Sequence, residues 1–501
     1  MSDDIQESYD AVPYESLPFN ETHPDRLAAL ATLFGMSPTP VERCRVLELG
    51  CAGGGNLIPM AVALPGSSFV GVDLSPRQIA DGQAVVRALG VSNIELKALD
   101  IRSINADFGE FDYLICHGVF SWVPADVQDK IFAICTQNLT ANGVAVVSYN
   151  TYPGWHDWLV ARDVMTYHVR GLTDPLARVQ QARAFLGFVA QSAAESDGPF
   201  RQKLLDMARR LADKSDCYLL HEHLSAINEP LYFSQFIDRA KAHGLQYLAD
   251  AKLSPMTPLH LSPEAEQTLN QVAPTLVQRE QVLDFLNNQS FRRSLLCRPQ
   301  ATINRALKGE TLASFRIATL AQPASDRPDI ASSVAERFAT PDGLELSTDD
   351  PLLKAALVHL AEVSPWPVPL GELLTGARIL LGQPADAAAP ARDVKVLGSR
   401  LLNCFLAGLV ELHVRPPSFR LEVSDRPVAS PLARWQVTSA VADRVTNLRH
   451  ELIRLTDLAR RLLPLLDGRH DRTELLGLLK AEPQQLDETL LQLARSALLA
   501  G

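Results

Sequence analysis

The chain has 501 residues, 47% apolar and 21% charged, a globular composition that excludes overall disorder and is too long for a single hydrophobic core. Asp and Glu number 58 against 47 Lys and Arg, a formal net charge of −11, which argues against nucleic-acid phosphates or an anionic membrane surface as partners. Seven cysteines, an odd number without a CxxC pair, fit a reducing compartment better than a disulfide framework. Met1-Ser2-Asp3-Asp4 opens no signal peptide, and no apolar run approaches the ~20 residues of a membrane span, so a cytoplasmic protein without membrane insertion is expected.

In chain order, the first part alternates short apolar runs with helical periodicity. Strands are expected at 45–50, 68–73, 94–98, 111–116 and 144–149, with helices near 57–64, 76–89 and 125–139. Five parallel strands with helical crossovers imply an α/β, doubly wound sheet that binds ligands at the carboxyl ends of its strands. Residues 155–216 read as helical throughout, and a helix at 234–243 with a strand at 244–248 closes the sheet. The expected domains are therefore 1–255, carrying a helical insertion at about 156–216, a helical linker or regulatory segment at 256–345 opened by Pro255, Pro258 and Pro263, and a C-terminal domain at 346–501. There, helices are expected at 351–362, 370–375, 400–407, 452–466, 473–479 and 483–499, with a strand at 409–414. Two groups of three helices with short strands suggest tandem winged-helix modules, a mixed helical domain being the plainer reading. The acidic balance favours protein contact over DNA.

The chemistry concentrates in Glu48-Leu49-Gly50-Cys51-Ala52-Gly53-Gly54-Gly55, directly after the first strand. Such a turn brings backbone close to a ligand, but alone it also approximates a dinucleotide fingerprint and leaves a nicotinamide dehydrogenase open. Asp73 ends the second strand, where a carboxylate can accept both hydroxyls of a ribose. Asp100 with Ile101 follows the third, where an adenine edge can be read. Acids at three consecutive strand ends favour a nucleoside with a cationic or neutral tail over a pyrophosphate.

This ordered set resembles the class I S-adenosylmethionine-dependent methyltransferases over about residues 9–250, which implies a Rossmann-like domain and S-adenosyl-L-methionine as cofactor. The resemblance assigns the methionine moiety to Glu48, Gly50, Gly53 and Gly54, the ribose to Asp73 and the adenine to Asp100. Cys51, Asn56, Leu74, Ile101, His117, Gly118 and Tyr14 complete the expected cofactor set. Ala52 departs from the family's usual Gly, a methyl group that φ tolerates only while it stays negative.

Further motifs are more specific: Tyr9-Asp10-Ala11-Val12-Pro13-Tyr14, Thr22-His23-Pro24, the run from His117 to Pro124, the run from Ser148 to Trp155, His221-Glu222-His223 and Asn228 to Phe233. Together they resemble the bacterial methyltransferases with a methyltransferase regulatory domain, a group that includes rickettsial protein-lysine methyltransferases modifying outer-membrane proteins. The resemblance continues more weakly through Phe291 to Cys297 and the Asp467-Gly468 turn.

Methyl transfer needs an aligned nucleophile and excluded water, and aromatic faces stabilise both a sulfonium and an ammonium. Tyr149, Asn150 and Trp122 are the expected catalytic residues, and Phe120, Tyr152, Trp155 and Tyr9 the expected substrate contacts, with Tyr9 and Tyr14 on an N-terminal lid. Trp158 and Trp366 are assigned to core. No general base stands out: His117 reads as packing or a cofactor contact. His221-Glu222-His223 lacks a third ligand and reads as structural or surface, Cys51 reads as packing, and no metal is expected. The expectation is thus an enzyme N-methylating lysine side chains of a protein, with the C-terminal half docking that substrate or a second subunit of a homodimer. A small-molecule or natural-product methyltransferase and a non-catalytic S-adenosylmethionine-binding regulatory protein are the alternatives.

Overall fold

Strands β1 (Arg45–Leu49), β2 (Ser68–Asp73), β3 (Ile94–Ala98), β4 (Phe111–Cys116), β5 (Leu139–Asn150), β6 (Gln246–Asp250) and β7 (Phe291–Cys297) form one sheet in the order 3-2-1-4-5-7-6. The computed structural model describes residues 10, 12–192, 199–258, 261–384, 391–439 and 443–500. The first five strands are parallel, and β7 is antiparallel to both β5 and β6. Strand order reverses between β1 and β4, so their carboxyl ends frame the crevice where open α/β sheets bind ligands. Side chains alternate across the sheet. Val46, Ile115, Val144 and Val146 join one apolar cluster, whereas Leu47, Leu49, Leu114, Val147 and Tyr149 join the other.

The five parallel strands and the helices Leu57–Ala63, Pro76–Leu89 and Ala125–Asn138 match expectation. Helix Pro76–Leu89 shows why its ends are legible: the Ser75 hydroxyl accepts from the Gln78 amide, Pro76 follows the cap, and Gly90 at φ 65° terminates it. The sheet, however, extends beyond residue 255. The segment 256–345 is not simply helical, because β7 completes the sheet and a small antiparallel sheet forms from Gln322–Pro323, Glu336–Ala339 and Glu345–Thr348. β7 holds Arg292, which sinks fully into the core on an ion network: its guanidinium bonds Asp284 at 2.7 Å and Glu280 at 3.0 Å and lies 4.1 Å from the Phe233 ring centre. Apolar alternation cannot announce a strand built around a buried cation.

Helices Trp155–His168, Pro175–Ser192 and Pro199–Ala212 form the expected insertion between β5 and β6, with a core of its own around Met165, Leu186, Leu211 and Leu220. In the C-terminal part, helices Pro351–Glu362, Leu370–Leu380 and Ala391–Leu406 pack with short strands Arg316–Ala318, Val368–Pro369 and Glu411–His413. Leu357, Leu373 and Leu401 share one continuous apolar cluster with Val46 and Ile115 of the sheet, so this part is fused to the first domain's core. The last module has helices Pro431–Ser439, Asp457–Leu462, Arg472–Leu479 and Pro483–Arg495 around a two-stranded wing. Leu452–Arg454 is a wing strand paired with Arg444–Thr446, not the start of a helix; the helix begins at Asp457, where the Thr456 side chain caps it. Among the described residues no helix is long and apolar enough to cross a membrane.

Candidate functional site

At the carboxyl edge of β1 to β5 lies a cavity of about 810 Å³. Its polar end is built by the Gly-rich turn. The amides of Gly50 and Cys51 donate to the Val72 carbonyl, 2.8 and 3.0 Å, turning the chain sharply beside β2. Gly50 has φ 74°, and a Cβ there would stand 2.3 Å from Val119 Cγ2, so only glycine fits. Asp73 ties down the other side: Oδ2 accepts from the Ala52 amide at 2.8 Å and Oδ1 from the Ser75 amide at 2.9 Å. Burial raises its pKa above the usual carboxylate value, and the same backbone bonds oppose that. Ala52 sits at φ 49°, in the left-handed region, so the negative φ on which tolerance of its methyl group depended is not met.

Glu48 is buried in the wall. Its Oε1 accepts from Asn56 Nδ2 at 2.8 Å, while Oε2 has no hydrogen-bond partner among the described residues. Burial pushes its carboxyl up to about 8, with the Asp73 charge adding to the effect. Asp100, after β3, accepts from the Arg102 amide at 2.8 Å, with Leu74 and Ile101 beside it. His117 is held between the rings of Phe19 and Phe291, with centroids 4.1 and 5.9 Å away, and burial pushes it down to about 3, a neutral imidazole.

An N-terminal strap forms part of the cavity wall. Tyr14, Ser16 and Phe19 line it, and Ser16 Oγ accepts from the Gly55 amide at 2.7 Å. A Cβ on Gly55 would meet the Ser16 carbonyl at 2.1 Å, which explains a third consecutive glycine. Tyr9 lies outside the described residues.

Past β4 and β5 the lining turns aromatic: Trp122, Trp155, Trp158 and Tyr218. Trp122 and Trp155 meet edge to face with centroids 6.1 Å apart. Asn150 reaches the cavity with its amide 3.3 Å from Asn228 Oδ1, and the Gly118 amide donates to Ser148 Oγ at 2.8 Å.

Several expectations need correction. Tyr149 does not face the cavity: it points to the opposite side of the sheet, stacks on Phe236 with centroids 3.9 Å apart, and pairs with Ser294 Oγ at 3.1 Å. Phe120 is likewise fully buried, against Phe132 and Phe236. Tyr152 stacks on His156 outside the cavity, and Gly53 and Gly54 shape the turn without lining it. Trp158 packs against the insertion's core, as expected, and also lines the cavity, while Trp366 packs on Phe419 as expected.

The His221-Glu222-His223 turn is not a surface feature. Glu222 lines the aromatic end and accepts from Tyr14 at 3.3 Å, and His221 Nε2 donates to the Val12 carbonyl at 2.7 Å. Sequence reasoning also passed over Ser16, Phe19, Phe291 and Arg293; the only signal for the last two was the Phe291–Cys297 motif. Among the described residues no group of three or more His, Cys, Asp or Glu could hold a metal. The orphaned Glu48 Oε2, the carboxylates ending β2 and β3 and the close-approach Gly50 fit a nucleoside bearing a cationic amino-acid tail.

Three family models match the chain: a methyltransferase domain over residues 46–143, a predicted methyltransferase regulatory domain over 215–298, and the C-terminal winged helix domain of PKMT over 425–498. The uncharacterized protein RP789 of Rickettsia prowazekii is 37% identical over 492 residues, covering 96% of this chain and 87% of that protein. The structure of PKMT2 from Rickettsia typhi is similar at 30% identity and TM-score 0.86, covering 98% of this chain and 100% of that one. The same protein solved in complex with AdoHcy gives a TM-score of 0.87. The chain belongs to this family of S-adenosylmethionine-dependent methyltransferases, a Rossmann-like catalytic domain followed by a regulatory domain and a C-terminal winged helix.

Proposed function

We propose that the chain N-methylates lysine side chains of a protein substrate. The observation that carries this reading is that a single cavity runs from the acids ending β2 and β3, past Glu48, to an aromatic end at Trp122, Asn150 and Trp155. Successive strands of a sheet lie ~4.8 Å apart, so β2 and β5 stand roughly 14 Å apart, a span suited to a nucleoside whose sulfonium faces the β4 and β5 loops. When bound, S-adenosylmethionine supplies an electrophilic methyl group on a sulfonium.

In this reading Asp73 holds the ribose, and Asp100 and Ile101 hold the adenine. Glu48, with Asn56 behind it, faces the methionine moiety, and Cys51, only 3% exposed, packs behind the turn. Neutral His117 and the strap from Tyr14 to Phe19 exclude water from the tail. The rings of Trp122 and Trp155 receive the acceptor's alkylammonium, and Asn150 orients it. The name PKMT2 carried by the Rickettsia typhi relative supports a protein-lysine acceptor, and the large C-terminal half offers a surface for docking it.

The test is mass spectrometry of candidate acceptor proteins incubated with the enzyme and heavy-methyl S-adenosylmethionine. Label on lysine side chains is expected. Label confined to small molecules would overturn the acceptor assignment, and cofactor binding without turnover would favour a regulatory protein.

A further inference from the structure

The aromatic end of the cavity contains a carboxylate that the reaction as described leaves unused. Glu222 sits on the tight turn Leu219–His223, which the helical insertion delivers against the β5 loop. His223 on the same turn lies between Trp155, Trp158 and Tyr218, with ring centroids 6.4, 5.6 and 5.7 Å away, so the turn and the aromatic wall are one packed unit. The Tyr14 hydroxyl of the strap donates to Glu222 Oε1 at 3.3 Å. Trp122, Trp155, Trp158 and Tyr218 with one acid form a cage of the chemistry that binds an alkylammonium: π faces around the chain and a carboxylate at its charged tip.

From this juxtaposition, and resting on the lysine reading above, we propose that Glu222 binds the ammonium of the acceptor amine and takes its proton. One N–H bond of the ammonium breaks and one O–H bond forms on Glu222. The freed nitrogen lone pair then takes the methyl group, the N–C bond forming as the C–S bond breaks with its electrons left on sulfur. The methylated nitrogen carries the positive charge away, and the proton on Glu222 passes to solvent, one proton per methyl transferred. Burial raises the Glu222 carboxyl to about 7, close to working pH. Burial raises Tyr14 far above its usual range and Tyr218 to about 12, pushes His223 down to about 4 and holds His221 below its usual value. Cys217 lies in the short helix Asp216–Tyr218 that precedes the turn.

The experiment compares wild type, Glu222→Gln and Glu222→Asp in the full-length protein. It measures kcat and KM on a labelled acceptor protein from pH 6 to 10, calorimetric binding of S-adenosylhomocysteine, and calorimetric binding of n-butylammonium to the homocysteine-product complex. Where wild type methylates lysine, activity decides. Glu222→Gln should lose ~100-fold in kcat at pH 7 and recover as pH rises toward lysine's own pKa, Glu222→Asp should restore part of the loss, and S-adenosylhomocysteine affinity should stay within about twofold. A Glu222→Gln enzyme within about threefold of wild type across that range overturns the proposal. Where wild type methylates no lysine, the acceptor reading itself has failed, and n-butylammonium decides for Glu222. Binding at least ~10-fold weaker in Glu222→Gln upholds an amine site, and equal binding overturns it.

Discussion

His450, in the C-terminal module, donates from Nε2 to Oδ1 of Asn56 at 2.7 Å, and the same Asn56 donates from Nδ2 to Glu48 in the polar end of the cavity. The amide orientation is fixed by the Phe19 backbone N–H, which can only donate and bonds Oδ1 at 2.9 Å. Burial holds the His450 imidazole neutral, well below its usual pKa. The winged-helix module therefore completes the wall behind Glu48, and the domains share a hydrogen-bond chain as well as an apolar core.

Removing that chain should be felt at the cofactor. His450→Ala deletes one donor but leaves Asn56 bonded to Phe19, so the loss should be about 1 kcal/mol, ~5-fold in S-adenosylhomocysteine affinity by calorimetry. An unchanged dissociation constant would show that the module touches the site without supporting it.

Ala52 pays for its left-handed backbone with steric strain of about 1–2 kcal/mol. Ala52→Gly relieves it but gains chain entropy in the unfolded state, a net stabilisation of roughly 0.5–1 kcal/mol in denaturant unfolding, with cofactor affinity retained. Destabilisation would mean that the Ala52 methyl packs usefully.

Tyr149 and Asp73 separate core from site. Tyr149→Phe loses only the hydroxyl contact to Ser294, so kcat should hold while stability falls by about 1 kcal/mol. Asp73→Ala removes the acceptor for two loop amides as well as the proposed ribose contact, and S-adenosylhomocysteine binding should weaken by about 2–3 kcal/mol, ~30–150-fold.

Glu48 predicts a pH dependence with a definite sign. Its folded pKa of about 8 lies above the ordinary 4.5, so the folded state keeps the proton that the unfolded state releases. Its contribution is intact below about pH 4.5 and is lost as pH rises toward 8. Glu48→Gln keeps the acceptor for Asn56 and removes the titration, so the melting temperature of the variant minus that of wild type should grow from pH 5 to pH 8. A flat difference would place the charge in solvent.

The parallel strands were legible because a strand buried on both faces reads as an apolar run, and the acids at their ends followed from strand length alone. β7 was not, since Arg292 and Arg293 interrupt its pattern, and Arg292 is a core residue through acids that lie elsewhere in the chain, Glu280 and Asp284 on a neighbouring helix and Asp250 on β6. Tyr149 and Asn150 show how finely a site depends on strand parity: adjacent residues point to opposite faces, and only the second reaches the cavity. Glu222 was hidden for another reason. Its partner Tyr14 is 208 positions away, and no local pattern relates a strap to an insertion.

The most direct test of the account is a crystal structure of the protein with S-adenosylhomocysteine and a lysine peptide. The ribose should lie on Asp73, the adenine beside Asp100, and the sulfur should face Trp122 and Asn150, with the lysine nitrogen between it and Glu222. A nucleoside turned end for end, or a lysine reaching the sulfur from outside the Trp155–Glu222 wall, would contradict it.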